Sequence, residues 1–297
     1  MEWKIKPIDE GKQIREYLQE VQGFSKRIMK ALKYEGGEIL VNGNPETVTF
    51  KLSTGDTLSI LFPPEKKGSY MKAENIPLNV VYEDEELLVL NKSAGMPVSP
   101  SYQHTSGTVA NGLLGYYEKK NIPYTIHIVT RLDRDTSGLM LVAKHRYSHS
   151  LLSLQQKTGT VKRKYKAILE GSLPEKSGII VAPIGRKEGS IIERTVEENG
   201  KHAITHYQIT KELLEHSLAA VQLETGRTHQ IRVHFSYMGC PLAGDDLYGG
   251  SRQWMNRQAL HCDELSFIHP FTKEQMQFCA PLPPDMQAMV HSTSQKS

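Results

Sequence analysis

Cysteine is scarce in this chain. Three residues in 297, Cys240, Cys262 and Cys279, with no Cys-x-x-Cys spacing, exclude a disulfide framework and a thiolate metal site. Long apolar runs are also missing: none approaches the ~18–20 residues that cross a bilayer. The opening MEWKIKPIDE is charged and has no apolar stretch of the secretory kind. Without such a leader, the glycosylation-like Asn91-Lys92-Ser93 is read as chance. There is no internal repeat and no low-complexity tract. The expectation is therefore a cytoplasmic protein with no membrane partner, and nothing in the sequence asks for more than a monomer.

Net charge is small as well, at +3 with a pI near 8.6. That balance does not by itself point to a polyanionic partner. Hydrophobic residues make up 38% and charged residues 23%, enough to build a core. The basic charge is unevenly placed. Lys26, Arg27, Lys30 and Lys33 follow one another with no acid between them, as do Lys157, Lys162, Arg163, Lys164 and Lys166. Local clusters of this kind suit phosphate backbones, although a solvated charged face gives the same pattern.

One boundary stands out. Phe62-Pro63-Pro64 closes a strand-like stretch, and the polar, glycine-containing segment after it reads as a linker over 65–75. It divides a small module, 1–64, from a large domain, 76–297. In the module, Ile14, Tyr17, Leu18 and Val21 recur at helical spacing, as do Ile28, Met29 and Leu32, with Ser25 placed to cap the second helix. Gly36-Gly37 turns the chain into a strand over Glu38–Asn42, Gly43-Asn44-Pro45 turns it again, and Thr57–Leu61 is a further strand. The large domain opens on a hairpin over Val80–Asn91. Strands are expected at Leu139–Ala143, Lys164–Glu170, Ala203–Thr210, Ser217–Glu224 and Thr228–His234, and helices at Val109–Lys119 and Arg146–Lys157. Many strands and few helices, without βαβ alternation, predict an α+β domain on a large, mostly antiparallel mixed sheet, joined to a small N-terminal α/β module.

Three segments carry chemistry. Arg131-Leu132-Asp133-Arg134-Asp135-Thr136-Ser137-Gly138 is a charged loop immediately before an apolar strand, where a rigid scaffold can present a reactive carboxylate. Leu223–Phe235 (LETGRTHQIRVHF), read as a strand, puts Arg227, His229, Ile231 and Val233 on one face and Thr228, Gln230, Arg232 and His234 on the other. A row of arginine, glutamine and histidine must face solvent, a ligand or a buried acid, because burying an unpaired charge is costly. His229 and His234 then point to opposite sides with no acid or cysteine cluster nearby, so no metal is expected. The third segment, Lys162–Ala167, embeds Tyr165 in basic residues, which suits a nucleic acid whose phosphates take the charge and whose base takes the ring.

Together these segments resemble the RluA-type pseudouridine synthase family over about residues 76–285. Arg131-Leu132-Asp133 with Thr136-Ser137-Gly138 is similar to the family's catalytic motif, and Thr225–His234 to its second signature. Supporting pieces are Asn91-Lys92, Ala182-Pro183-Ile184-Gly185, Gly244-Asp245 and Gln258-Ala259-Leu260-His261. Two positions depart from the family pattern: Ser93 stands where proline is usual, and Thr130 where histidine is. The module, over about residues 10–62, resembles the S-four-type RNA-binding domain.

The resemblance implies isomerisation of uridine in RNA without cofactor. Asp133 would be nucleophile or base, Arg232 its partner, and Tyr165 the ring that stacks on the uracil. Ile231 would be an apolar wall, and Arg131 would fill the stack after base flipping. Arg227, Lys164, Lys26, Arg27 and Lys30 would meet the RNA. Ribosomal RNA is favoured over transfer RNA because of the ribosomal-type module. The competing readings are a non-catalytic RNA-binding assembly factor, which has no evident need for Asp133, Tyr165 and Arg232 together, and a metal-dependent hydrolase, which the scatter of the twelve histidines disfavours.

Overall fold

A computed structural model describes residues 1–65, 71–101 and 105–292. The N-terminal part builds a four-stranded sheet from β1 (Glu2–Lys4), β2 (Glu38–Val41), β3 (Asn44–Pro45) and β4 (Thr57–Leu61), in the order β1-β4-β2-β3. Against it pack α1 (Ile14–Glu16), which runs on as a π turn over Tyr17–Val21, and α2 (Lys26–Tyr34). As expected, the Ser25 hydroxyl caps α2, accepting from the Ile28 N–H at 3.3 Å. Ile28, Ala31 and Leu32 are buried, which leaves Lys26, Arg27 and Lys30 exposed on the other side of the helix. Strand β1 has no counterpart in the sequence reading, since three residues are too few to show a period. Asn44 and Pro45, read there as part of a turn, form the short β3.

The rest of the chain is organised around a ten-stranded sheet. Its strands are β5 (Val80–Glu83), β6 (Leu87–Lys92), β7 (His127–Ile128), β8 (Ser137–Ala143), β9 (Lys162–Glu170), β10 (Ser177–Val181), β13 (Ile204–Glu212), β14 (His216–Leu223), β15 (Leu260–Ile268) and β16 (Gln275–Cys279). The intervening β11 (Ile184–Arg186) and β12 (Arg194–Val196) form a separate hairpin. The main order is β10-β13-β14-β9-β15-β8-β6-β5, with β16 on β15 and β7 on β8. Every pairing is antiparallel except β8 with β15, so the α+β class with a mixed, mostly antiparallel sheet is what the chain forms. The hairpin at Val80–Asn91 and the helices α3 (Val109–Lys119) and α4 (Arg146–Lys157) are also as expected.

Strand β8 explains where the loop of Asp133 sits. All seven of its residues are buried, so it reads as a continuous apolar run rather than an alternation, the pattern of a strand covered on both faces. At its start, Gly138 lies at φ +114°, and a Cβ there would overlap the backbone of Cys262 on β15. Only glycine lets the two parallel strands meet at this point.

One expected strand is a helix. Thr228–His234 contributes to α5 (Gln230–Tyr237), not to the sheet. The alternation misled because residues Gln230 to Phe235 are all buried, so no exposed face marks the true period. The polar members are satisfied inside. Gln230 Nε2 donates to the Ile204 carbonyl at 2.9 Å, and Gln230 Oε1 accepts from the Arg227 N–H at 2.9 Å. The His234 ring bonds Thr205 and the Ala182 carbonyl, each at 2.9 Å. A last helix, α6 (Pro284–Ser292), covers Ile168 and Leu218 with Met286 and Met289.

The N-terminal sheet docks on α4. Tyr147 donates its O–H to the Gln22 carbonyl at 2.6 Å, and its ring lies 4.3 Å from that of Phe24. Trp3 stacks on Phe271 at 6.3 Å. Arg146 reaches both Glu35 on the N-terminal side and Glu65, at 3.1 Å each. Of the linker expected over 65–75, residues 66–70 lie outside the described residues. Glu65 is buried; burial alone would raise its carboxyl, but bonds from His127 and Arg146 outweigh it and hold it at about 2.

Candidate active site

The loop between β7 and β8 is pinned from below. Lys92, at the end of β6, is buried and donates to the carbonyls of Ser93, Met96 and Arg134 at 2.8, 2.9 and 2.8 Å. Those three acceptors match the three protons of an ammonium. Burial pushes Lys92 down to about 7, against the opposing pull of Asp135 and Asp133. Arg257 Nη1 donates to the Asp135 carbonyl at 3.1 Å, and Ser137 bonds His261 Nδ1 at 2.9 Å. The Asp133 carbonyl accepts from the Thr136 N–H at 3.2 Å, closing a turn that leaves the Asp133 side chain about a quarter exposed.

Helix α5 brings Arg232 to this carboxylate. Arg232 Nη1 lies 3.3 Å from Asp133 Oδ2, the pairing that the family resemblance implies. Its stronger partner is Asp245. Arg232 Nε and Nη2 donate to Asp245 Oδ2 and Oδ1, both at 2.7 Å, in a two-pronged arrangement that is almost wholly buried. Burial opposes the charge, but the Asp245 bonds dominate and raise the guanidinium further above its ordinary range. The guanidinium also lies over the Tyr248 ring, 4.9 Å from its centre. The sequence reading gives Asp245 no role beyond its place in Gly244-Asp245, and nothing near it in the chain marks it as the partner of Arg232.

His229 also lies near Asp133. It begins α5 in the left-handed region, φ 58° and ψ 18°, and its Nε2 is 3.9 Å from Asp133 Oδ2. Burial lowers its pKa, with Asp133 opposing.

Tyr165 and Ile231 are each 4% exposed and belong to the same core as Leu132, which directly precedes Asp133. Tyr165 on β9 pairs with Val221 and Cys262 on the neighbouring strands. Burial pushes its hydroxyl well up, with Arg163 opposing and Cys262 and Asp133 reinforcing, so the ring is a neutral phenol. Strand alternation sends Lys164 to the opposite face, where it is ion-paired with Glu264 at 2.9 Å. Arg163 is the basic residue on Tyr165's own face. Its Nη2 lies 2.9 Å from where a Cβ of Gly226 would be, and it has no acidic partner among the described residues. The period of two around Tyr165 would have found it. Arg131 and Arg227 are exposed; Arg227 Nε donates to the His202 carbonyl at 2.9 Å. The basic residues of α2 belong to the N-terminal part that Tyr147 holds against α4.

The chain is similar to several known proteins. Residues 86–237 match the model of a family described as RNA pseudouridylate synthase. The chain is 50% identical over 277 residues to the uncharacterized RNA pseudouridine synthase YjbO of Bacillus subtilis, covering 93% of this chain and 98% of that one. It is 38% identical over 284 residues to the ribosomal large subunit pseudouridine synthase D of Vibrio cholerae, covering 90% and 86%. Among solved structures, human RNA pseudouridylate synthase domain containing 4 superposes with a TM-score of 0.60 at 22% identity, over 74% of this chain and 94% of that one, which speaks for the fold. No helix among the described residues is long and apolar enough to cross a membrane. With a family model spanning half its length and relatives matched almost end to end, the chain belongs to the RNA pseudouridine synthases, isomerases that act on RNA.

Proposed function

We propose that the enzyme isomerises uridine within large-subunit ribosomal RNA and that Asp133 is its reacting carboxylate. The reaction breaks the N1–C1′ bond and makes a C5–C1′ bond; the proton on C5 leaves and N1 gains one. Nothing is oxidised and no group is imported. An anion beside the ribose is needed, either as nucleophile at C1′ or as base at C2′. The observation that carries the reading is the position of Asp133: a partly exposed carboxylate on a pinned loop, held by Arg232, in the same region as the buried ring of Tyr165. Arg232 holds the carboxylate in direction. Tyr165 stacks on the uracil and Ile231 closes the apolar side.

The target base must leave its helix first, at a cost of a few kcal/mol. Arg131, exposed beside Asp133, fills the space it leaves. Arg227 and the α2 residues Lys26, Arg27 and Lys30 meet phosphates, which add affinity without reading sequence. The name of the Vibrio cholerae relative supports the large ribosomal subunit as the source of substrate.

The test is pseudouridine content by mass spectrometry after incubating unmodified large-subunit ribosomal RNA with wild type and Asp133→Asn, chelator present. New pseudouridine from wild type alone is expected. Product from transfer RNA only would overturn the substrate, and product from Asp133→Asn would overturn the carboxylate. Tight RNA binding with no product from any RNA would favour the non-catalytic binding protein.

A further inference from the structure

Tyr248 and His229 form a chain that ends on Asp133. The Tyr248 oxygen accepts from the Arg194 N–H at 2.9 Å and lies 2.8 Å from His229 Nδ1. A phenol has one proton, and burial raises its pKa, so it is present throughout the neutral range. Among the described residues, His229 Nδ1 is the acceptor recorded for that proton. Nδ1 is then a hydrogen-bond acceptor, and in the neutral ring the proton must sit on Nε2. Nε2 is the atom that faces Asp133 Oδ2, at 3.9 Å. The carboxylate, which can only accept, is compatible with that tautomer but at 3.9 Å is too far to impose it. The bond to Tyr248 is therefore what sets the tautomer.

The backbone adds a further observation. His229 adopts the left-handed region at φ 58°, which side chains other than glycine seldom occupy. In this conformation at the residue before α5, the ring lies between Tyr248 and Asp133. The Tyr248 ring also supports the Arg232 guanidinium at 4.9 Å, so one tyrosine orients both neighbours of the carboxylate.

We propose that His229, held as the neutral Nε2–H tautomer by Tyr248, is a positioning residue that with Arg232 fixes Asp133 through Oδ2 and leaves Oδ1 for the ribose. This rests on Asp133 being the reacting carboxylate. The charged and titratable groups facing His229 are Asp133, Arg232, Asp245 and Arg194, with Tyr248 on its far side. Protonating His229 would require Nδ1 to become a donor and Tyr248 to turn its own proton away. Tyr248 therefore holds the ring neutral, in the same direction as burial.

The tautomer is tested without catalysis. Nitrogen NMR of histidine-labelled full-length protein, wild type beside Tyr248→Phe, should show His229 protonated at Nε2 in wild type. In Tyr248→Phe, which keeps the ring under Arg232, it should show mixed tautomers and titration at higher pH. A wild-type Nδ1–H tautomer, or no change in Tyr248→Phe, would overturn the proposal. In turnover on unmodified large-subunit ribosomal RNA, His229→Ala should lose at least about tenfold in kcat with KM nearly unchanged. His229→Gln, whose amide supplies an N–H in place of Nε2–H, should recover part of it. A loss confined to KM, or His229→Gln no better than His229→Ala, would sink the positioning role. An active Asp133→Asn would instead bring down the assignment of the carboxylate on which the proposal rests.

Discussion

The Arg232 guanidinium serves two carboxylates unequally: Asp245 holds it with two bonds of 2.7 Å, and Asp133 receives one of 3.3 Å. Asp245 is thus the anchor and Asp133 the group being served. Asp245→Ala leaves a buried guanidinium with one weak partner, and breaking such a pair costs about 3–5 kcal/mol. The expected result is a lower denaturant midpoint at unchanged m-value, together with a loss of turnover beyond what the folded fraction explains.

Lys92 ties the loop of Asp133 to β6. Replacing it by methionine removes the donor that three carbonyls share, so Lys92→Met should lower kcat while RNA binding persists. It also changes a pH dependence. The folded value near 7 lies below the ordinary 10.5, so between these the unfolded chain holds more protons than the folded one. Stability then rises with pH across that window in the wild type. Thermal midpoints from pH 7 to 10 should show that increment in wild type and not in Lys92→Met.

Glu65 gives the opposite window. Its folded value of about 2 lies below the ordinary 4.5, so its contribution is complete above 4.5 and is lost as pH falls through 2. After discounting for solvent screening, the contribution is on the order of 2 kcal/mol. Urea unfolding at pH 6 should find Glu65→Gln weaker by about that amount, and the gap should narrow steadily toward pH 2.

Two glycines should respond very differently to alanine. At Gly226 the new Cβ meets the far end of the Arg163 side chain at 2.9 Å, and a flexible side chain can move. Gly226→Ala should cost no more than about 1 kcal/mol of stability but, by displacing Arg163, should raise KM for RNA. At Gly138 the obstacle is backbone, in a conformation L-residues resist. Gly138→Ala should cost about 3 kcal/mol or more. Comparable midpoints for the two variants would contradict this account.

What the sequence disclosed follows from what leaves a period behind. Strand β8 and helices α3 and α4 stood out because each is long and bounded by turns or caps. Arg131, Asp133 and Tyr165 were marked by their motifs, and the pairing of Arg232 with Asp133 came from resemblance. Helix α5 was hidden because burial on all sides removes any contrast between faces. Asp245 was hidden for a different reason: a buried ion pair joins residues brought together by tertiary structure, and neither sequence neighbourhood shows it. Lys164 was singled out over Arg163 because both sit in one basic run, and only the pleat separates their faces.

The docking of the N-terminal sheet through Tyr147 fixes a baseline. At about 3.3 Å per residue, the seven residues of β8 set the loop of Asp133 roughly 20 Å from the end of the strand that leads into α4. A substrate touching both places must present its reactive nucleotide and a second phosphate-bearing segment across about that span. A lone stem shorter than this could satisfy one contact or the other, and only a folded RNA of sufficient breadth could satisfy both.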